Sequence, residues 1–246
     1  MKERARDRVI TGFHTVREAL LEGVPLHALF IEKGKHRRRA EEIRRLARAR
    51  GVKVLEVPKE KLRELQAESW IAALVSEVAF LSLEELLNTV PPEEAPLFVV
   101  LDGITDVGNA GAIARTAEAM GAHGLILQER NSPFFGEAAA RVSAGAIWHL
   151  PMAKVKNLNR ALSLLKDKGV WIAATVPSGG IPLHSFDFTL PTAVVLGSES
   201  EGIRRSVKEK ADVLITIRQK GKVQSLNVSV AAGIVLYEAA RQRGWL

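Results

Sequence analysis

The stretch "LFVVLDGITDVGNAGAIARTAEAMGAHGLILQ", residues 97–128, contains two short apolar runs separated by an alanine-rich segment. The runs "LFVVLDG" and "GLILQ" have the length and composition of buried strands. The segment between them predicts a helix at about 109–120. The apolar side of this helix is formed by Ala110, Ile113, Ala117 and Met120. A strand, a helix and a second strand in this order indicate a parallel βαβ unit.

The same alternation continues towards the C-terminus. Further helices are predicted at about 136–146, 157–168 and 202–210, and a long one from 225. Further strands are predicted in "VWIAATV", "AVVLG" and "VLITI". Apolar strands between helices imply an α/β fold with a mostly parallel sheet covered on both faces. Because ligands of such sheets bind beyond the carboxyl ends of the strands, the loops after these strands are the candidate site.

The first part of the chain predicts a separate, smaller α/β unit. Helices at about 14–22, 37–50 and 58–66 alternate with the strands "ALFIE", "KVLEV" and "IAALVSE". The segment "SLEELLNTVPPEEAP", residues 82–96, is a short polar helix followed by a Pro/Glu run, which is typical of an exposed linker. We therefore expect an N-terminal domain at 1–78, a linker at 79–96 and a C-terminal domain at 97–246.

Composition excludes several classes of site. The chain is 47% hydrophobic, has no cysteine, and its six histidines form no HxxxH-type pair, so we expect neither disulfides nor a metal site. The start "MKERARDRVITGF" has no apolar segment of a signal peptide, and no run approaches the roughly 18 apolar residues of a membrane helix. These features predict a cytoplasmic protein that has no membrane partner.

Positive charge is concentrated in one short segment. The chain carries a net charge of +7 with a pI near 9.8, and the stretch from Lys33 to Arg50 alone has nine basic residues against Glu41 and Glu42. One interpretation is a solvated helix face with Glu/Arg pairs, and the other is a surface that binds phosphates. The candidate phosphate-binding residues are Arg37, Arg38, Arg39, Arg44 and Arg45.

Three stretches of the C-terminal domain hold unusual polar residues. In "NAGAIARTAEAMGA" (109–122), Asn109 is suited to cap the helix, and Arg115 lies on a face other than the apolar one. In "VVLGSESEGI" (194–203), two glycines frame two glutamates. In "SLNVSVAAGIVLYEAARQR" (225–243), Ser225 and Asn227 begin the long helix. Taken singly, each stretch also fits a structural role: a surface charge, a plain turn, or a helix cap.

Taken together in this order, the three stretches resemble the motifs of the SpoU/TrmH branch of the SPOUT RNA 2′-O-ribose methyltransferases. The resemblance covers about residues 97–243, and the first 75 residues resemble the family's small RNA-binding domain, which is similar to a ribosomal-protein fold, with "ITGFHTVREAL" as its opening. The resemblance is closest to bacterial enzymes that methylate a guanosine ribose in 23S ribosomal RNA. It implies a C-terminal SPOUT methyltransferase domain with a trefoil knot, and a homodimer.

The resemblance also implies S-adenosylmethionine as cofactor and assigns the site residues. The implied cofactor contacts are Thr175, Val176, Gly197, Gly202, Ile217 and Leu226. Gly197 is expected because a side chain there would fill space that the cofactor needs. The implied catalytic residues are Asn109, Arg115, Glu199, Ser225 and Asn227.

Among these residues, the resemblance places Arg115, from the partner subunit, at the RNA phosphate. A guanidinium stays protonated at neutral pH, which favours a role as phosphate clamp that also stabilises alkoxide charge over a role as base. Asn109 and Glu199 are implied to orient Arg115. Ser225 and Asn227 are implied to bind near the substrate ribose and the methionine end of the cofactor.

Two departures from the family pattern leave the nucleotide open. Relatives commonly carry His-Gln-Gly before the last strand of the small domain, where this chain has "AESWIAALVS" (67–76), and the loop "RQKGK" (218–222) is basic where close relatives are small and uncharged. The alternatives are a tRNA ribose or an adenosine of ribosomal RNA as substrate, or an RNA-binding protein that has lost catalysis. A nucleotide-dependent oxidoreductase is disfavoured because neither a GxGxxG fingerprint nor a P-loop is present.

Overall fold

The protein is described by a computed structural model that covers residues 9–21, 23–34, 36–75, 78–133, 135–222 and 225–246. The first eight residues of the charged start, Lys35 of the basic segment, and the end of the predicted strand at 71–77 lie outside the described residues. The chain divides into two compact units. The first contains the chain up to Val78 together with Gly136–Trp148, and the second contains Ala79–Phe135 and His149–Leu246.

The first unit is built on a mixed sheet of four described strands in the order β1-β4-β2-β3. The strands are β1 (Val9–Thr11), β2 (Leu26–Glu32), β3 (Val54–Val57) and β4 (Ile71–Val75). Helices α1 (Phe13–Leu21), α2 (Arg37–Ala49) and α3 (Lys59–Glu64) connect them. Strand β2 pairs parallel with β3 and antiparallel with β4, and the core includes Leu29, Ile43 and Ile71, all fully buried. The sequence predicted these helices to within about two residues and missed only the three-residue β1.

The predicted helix at 136–146 is shorter than expected and belongs to the first unit. Helix α6 covers Glu137–Val142, and a short 3₁₀ turn follows at Ala146–Trp148. The helix ends because Ala144 (φ 48°) and Gly145 (φ 83°) adopt left-handed backbone conformations, which a right-handed helix cannot include. Trp148 then packs against the core of the first unit.

The second unit contains a parallel sheet of seven described strands in the order β7-β6-β5-β10-β8-β11-β9. The strands are β5 (Leu97–Asp102), β6 (Gly124–Gln128), β7 (Met152–Val155), β8 (Trp171–Thr175), β9 (Ile181–Pro182), β10 (Thr192–Gly197) and β11 (Val213–Thr216). The helices are α4 (Leu83–Leu87), α5 (Val107–Ala119), α7 (Leu158–Asp167), α8 (Arg205–Lys208) and α9 (Val228–Gln242), with a 3₁₀ turn at Leu183–Ser185. The predicted α/β class with a parallel sheet is confirmed. Within the described ranges, no helix is both long and apolar enough to span a bilayer.

The segment 79–96, which the sequence suggested as a linker, is packed over its first half. Ser82 and Glu85 form a capping box that starts α4, and hydrogen bonds from Ser82 to Glu85 hold the pKa of this carboxyl below its ordinary value. Leu83 and Leu86 are buried in the core of the second unit. The Leu81 N–H donates to the Met152 carbonyl at 2.8 Å. This part of the segment is therefore an outer layer of the sheet and not a free connection.

Two helix starts differ from the sequence interpretation. The cap of α5 is Asp106, whose Oδ1 accepts from the Asn109 N–H at 2.7 Å, so Asn109 is not the cap but lies in the first turn. Helix α9 begins at Val228 and not at 225, because the Asn227 side chain accepts from the N–H groups of Ser229 and Val230. In both cases a polar side chain of the predicted site, that of Asn109 or Ser225, is released from capping.

The C-terminal end of α9 is fixed by the Arg243 side chain. Its guanidinium donates to the carbonyls of Phe188 (2.7 Å), Leu190 (2.9 Å) and Pro96 (3.2 Å). Burial lowers the pKa of Arg243 to about 10, so this group is still charged at neutral pH. These bonds fix the end of the helix to the segments that precede β5 and β10.

Candidate active site

Four strand ends lie at the same edge of the sheet in the second unit. Because β5, β10, β8 and β11 are neighbouring parallel strands, their last residues, Asp102, Gly197, Thr175 and Thr216, share one edge. The chain order of the strands reverses between β5 and β10, which is the switch point where α/β sheets bind ligands. The loops that follow these strands contain most of the residues that the sequence singled out.

A cavity of about 520 Å³ opens between these loops. Its lining includes all the residues predicted as cofactor contacts: Thr175, Val176, Gly197, Gly202, Ile217 and Leu226. Glu199 and Ser225 of the predicted catalytic set also line it. The structure therefore gathers residues that are up to 51 positions apart in sequence around one space. Their assignment to a cofactor stays a prediction.

Hydrogen bonds from the sheet hold the walls of the cavity. The Thr175 hydroxyl donates to the Val195 carbonyl at 3.0 Å, and the Val176 N–H donates to the Ile215 carbonyl at 2.9 Å. Apolar side chains of Ile217, Val228 and Val235 line another part of the cavity. The result is a space with fixed backbone polar groups and an apolar wall, which is the usual character of a cofactor site.

The turn after β10 requires glycine at two positions. Gly202 has a φ of 66°, and its N–H donates to the Ser198 carbonyl at 2.9 Å, which closes the turn. A Cβ at Gly197 would lie 2.2 Å from the Gly202 carbonyl carbon and 2.3 Å from the Ile203 nitrogen. The structure gives a reason for Gly197 in the turn itself, because backbone atoms of Gly202 and Ile203 occupy the space that a side chain would need, and the expected conflict with the cofactor stays a prediction.

Three predicted side chains form a hydrogen-bonded triad at the switch point. Asn227 Nδ2 donates to the Glu199 Oε1 and to the Asn109 Oδ1 (3.0 Å), and Asn109 Nδ2 donates to the same Glu199 oxygen at 3.4 Å. Asn227 Oδ1 simultaneously accepts from the Ser229 N–H and hydroxyl. One asparagine therefore caps α9 and fixes the Glu199 carboxylate beside the cavity.

The structure places Arg115 apart from this triad. Arg115 is an exposed residue of α5, and in the described part of the chain no hydrogen bond joins it to Asn109 or Glu199. Ser225 is exposed and lines the cavity without capping α9. Within one chain, the orientation of Arg115 by Asn109 and Glu199 is therefore not observed.

The sequence analysis missed a buried ion pair that supports the site. Asp102 is fully buried, and its carboxylate accepts from the Arg204 N–H at 2.8 Å and from the Arg204 Nε at 2.6 Å. The Arg204 guanidinium also donates to Gln128 Oε1 at 2.7 Å. These bonds tie the end of the 198–204 loop to the end of β5. The available signal was a single acidic residue at the end of the apolar run "LFVVL".

The five candidate RNA-binding arginines of the first unit lie on α2, and they are not equivalent. Arg37, Arg38 and Arg45 are exposed. Arg44 is half-buried and forms ion pairs with Glu41 and Glu56. Arg39 lies over the Phe13 ring, with its guanidinium carbon 5.1 Å from the ring centroid. The ion pairs of Arg44 agree with the interpretation of paired surface charges, and phosphate binding by its exposed neighbours stays a prediction.

Family comparisons agree with this arrangement. Residues 96–237 match the SpoU rRNA Methylase family, and residues 9–68 match the RNA 2′-O ribose methyltransferase substrate-binding domain. The chain belongs to the SpoU rRNA methylase family, and it is an RNA methyltransferase. Among the described residues, no group of His, Cys, Asp and Glu side chains is arranged to hold a metal ion.

Individual relatives cover nearly the whole chain. The 23S rRNA (guanosine-2′-O-)-methyltransferase RlmB of Ralstonia nicotianae is 36% identical over 244 residues, which is 97% of this chain and 97% of that protein. The YacO protein of Bacillus subtilis, whose assignment as a TrmH family tRNA/rRNA methyltransferase is itself provisional, is 36% identical over 237 residues, 95% of each chain. The structure of the SpoU methyltransferase AviRb from Streptomyces viridochromogenes with AdoMet has a TM-score of 0.73 and 26% identity, over 97% of this chain and 91% of that chain.

Proposed function

We propose that the protein transfers a methyl group from S-adenosylmethionine to a ribose 2′-hydroxyl of RNA, and that the substrate is a guanosine in 23S ribosomal RNA. The observation that carries the proposal is the cavity at the switch point with the Asn109–Glu199–Asn227 triad beside it. The name of the Ralstonia relative supports the choice of nucleotide. The presence of a matched substrate-binding domain supports RNA as the partner.

The residues of the cavity fit this cofactor. Its volume, about 520 Å³, lies in the range of small-molecule sites. Ile217 and Leu226 offer apolar contacts for an adenine, and Thr175 and Val176, which hydrogen bonds of the sheet hold in place, line the same space. The carboxylates of Glu199 and Glu201 face a ligand whose sulfonium and amino groups are positive. When bound, the cofactor supplies an electrophilic methyl group.

The chain's own residues then position the ribose. Holding the 2′-hydroxyl in line supplies about 7 kcal/mol or more of the rate acceleration in favourable cases. We assign Ser225 and Asn227 to contacts with the ribose and with the methionine end of the cofactor. Asn109 and Asn227 fix the position of Glu199, and we assign this carboxylate to the polar surroundings of the reacting 2′-hydroxyl. Arg115 clamps the RNA phosphate and stabilises the alkoxide charge that develops.

We further propose a homodimer in which Arg115 comes from the partner subunit. Helix α9 buries one face, but its opposite face exposes Val230 (51%), Ile234 (38%) and Tyr237 (53%) at helical spacing. A contiguous apolar face of this kind marks an interaction surface, and a second copy of the same helix covers it in a two-fold dimer. We also propose that the C-terminal unit contains a trefoil knot, as the family resemblance implies, and that the protein is cytoplasmic.

The dimer predicts the behaviour of an Ile234→Glu variant. A charge at the centre of the apolar face is expected to shift the protein from dimer to monomer in light scattering at micromolar concentration, because an unpaired buried charge opposes association. The matched control is Ile181→Glu, at a residue 40% exposed on β9. A wild-type protein that is already monomeric at high concentration would contradict the dimer.

The function is tested by mapping ribose methylation in a strain that lacks the protein. We expect one guanosine of 23S ribosomal RNA to lose its 2′-O-methyl group, and the purified protein with S-adenosylmethionine to restore it in vitro. If a tRNA loses a 2′-O-methyl group instead, the reaction is as proposed but the substrate is that tRNA. A protein that binds RNA but shows no calorimetric affinity for S-adenosylmethionine would be a binding protein that has lost catalysis.

Gly197→Ala is expected to weaken S-adenosylmethionine binding by about tenfold or more. The added Cβ would lie within 2.5 Å of three backbone atoms of Gly202 and Ile203, so the turn that lines the cavity must move. Calorimetric titration measures the loss. Gly221→Ala is the matched control, because a Cβ there would meet no atom within 4 Å. An unchanged affinity for Gly197→Ala would remove this turn from the cofactor site.

A further inference from the structure

The first unit has a groove of about 980 Å³ that none of the predicted site residues enters. It lies beside α3 and the turn that precedes β4, and its lining includes His36, Lys59, Arg63, Glu68, Ser69 and Trp70. Trp70 occupies the segment in which this chain departs from the family pattern. The groove is therefore lined in part by a segment whose sequence differs from the family pattern.

Aromatic rings are stacked along one side of this groove. The His36 and Trp70 rings are stacked with centroids 4.5 Å apart and planes at 26°, and Phe13 stacks on Trp70 at 6.3 Å and 21°. The Arg39 guanidinium covers the Phe13 ring. Of these rings, His36 is exposed and lines the groove, whereas Phe13 does not line it. The stack thus ends in the groove at an exposed imidazole.

The backbone of His36 is unusual in a way that favours this stacking role. His36 precedes α2 in the left-handed conformation, with a φ of 52°, and its side chain makes no capping hydrogen bond. Left-handed backbone at a residue other than glycine is uncommon and is concentrated at functional positions. The ring is held against Trp70 and does not serve the helix that it precedes.

The charges around the groove suit a nucleotide chain. Two cations, Lys59 and Arg63, and two carboxylates, Glu32 and Glu68, line it, and among the described residues neither cation forms an ion pair. Arg37 and Arg38 follow His36 directly and are exposed. These cations suit phosphates on either side of a base, and Glu68 and Ser69 present an acceptor and a hydroxyl to its polar edge. Unstacked bases of single-stranded RNA are bound in this manner, by aromatic stacking beside a basic surface.

We propose that this groove binds an unpaired base of single-stranded RNA, which extends the Phe13–Trp70–His36 stack on the exposed side of His36. The proposal rests on RNA as the substrate of the proposed function, and it assigns to the first unit the binding of a single-stranded segment of that RNA. It also accounts for a tryptophan at position 70.

The test compares two RNA hexamers of equal charge, one with bases and one abasic, in equilibrium binding to the full-length protein. Wild-type protein is expected to bind the hexamer with bases about tenfold more tightly, as stacking of one base predicts. His36→Asn and Trp70→Leu are expected to abolish this difference. Asparagine is chosen because it tolerates left-handed backbone, so the ring is removed without strain.

Three controls separate stacking from charge and from folding. His27→Asn removes an exposed histidine outside the groove and should keep the difference. Replacing Arg37 and Arg38 by Ala should weaken both hexamers equally and reduce the salt dependence. Trp70→Phe, which keeps an aromatic ring, should retain most of the preference.

The outcomes distinguish this proposal from the proposed function. Equal binding of the two hexamers by wild-type protein, or a preference that His36→Asn leaves intact, would overturn the stacking site even if methylation proceeds. A preference that depends on His36 in a protein that binds no S-adenosylmethionine would support the stacking site and overturn the reaction. Tighter binding of duplex RNA than of either hexamer would also overturn the proposal.

Discussion

An Arg115→Ala variant is expected to lose RNA methylation by about 10²- to 10³-fold, the usual effect of removing one group that stabilises charge in a transition state. Arg115 is exposed on α5 and forms no hydrogen bond with Asn109 or Glu199 in the described chain, so its removal should leave the fold unchanged. It does not line the cavity, so S-adenosylmethionine affinity should be unchanged as well. Single-turnover methylation and calorimetry measure the two effects separately.

A conservative variant and a control at another position make this prediction more specific. Arg115→Lys keeps the charge but not the planar fork, and an intermediate rate is expected. Arg160→Ala, which removes an exposed arginine of α7, should methylate at the wild-type rate. If Arg115→Ala retains turnover, the residue is a surface charge, as an arginine in an alanine-rich helix often is.

Mixing two inactive variants tests whether Arg115 acts across the dimer. An Arg115→Ala protein mixed with an Asn227→Ala protein forms heterodimers, and each heterodimer has one site with both native residues if Arg115 crosses the interface. About a quarter of the wild-type activity should then return, because half of the dimers carry one intact site of two. If Arg115 serves its own chain, no activity returns.

The sequence was informative where periodicity and composition are strong. The parallel sheet, helices α5, α7 and α9, and the convergence of three loops at one edge followed from apolar runs and from the rule for ligand sites in such sheets. The gathering of Thr175, Gly197 and Leu226 around one cavity followed from the family resemblance. The family resemblance therefore predicted which residues share the cavity, and the apolar pattern predicted the strands and helices that position them.

Most differences between the predicted and the observed secondary structure have one physical cause. Tertiary contacts determine whether a short segment forms a strand or a helix. Strand β9 has two residues and β7 has four, too few for a pattern, and each is stabilised by its neighbour in the sheet. Helix α8 covers four residues instead of the predicted 202–210, because the turn at 198–202 occupies the start of that segment. The cap of α5 is a local exception, since Asp106 accepts from the Asn109 N–H, while the Asn109 side chain bonds with residues 90 and 118 positions away.

Loss of the Asp102–Arg204 ion pair is expected to destabilise the second unit. Arg204→Ala should lower the free energy of unfolding of the second unit by about 3 kcal/mol, near the lower limit for removing one partner of a buried pair. The Arg204 side chain is 41% exposed and its backbone N–H still donates to Asp102, which moderates the loss. The Asp102 carboxylate, fully buried, is left without its counter-charge. Thermal unfolding should show a decrease of about 6–12 °C.

Arg205→Ala is the matched control for this loss. It removes the same charge at the next position, where the side chain is 92% exposed and pairs with Glu209 on the surface, so a change of about 0.5 kcal/mol or less is expected. Adding Asp102→Asn to Arg204→Ala should restore part of the stability, because the uncompensated charge is then gone. Since Arg204 ties the 198–204 loop to β5, the single variant should also weaken S-adenosylmethionine binding, whereas Arg205→Ala should not. Equal effects of the two arginine variants would show that the buried pair does not position the loop.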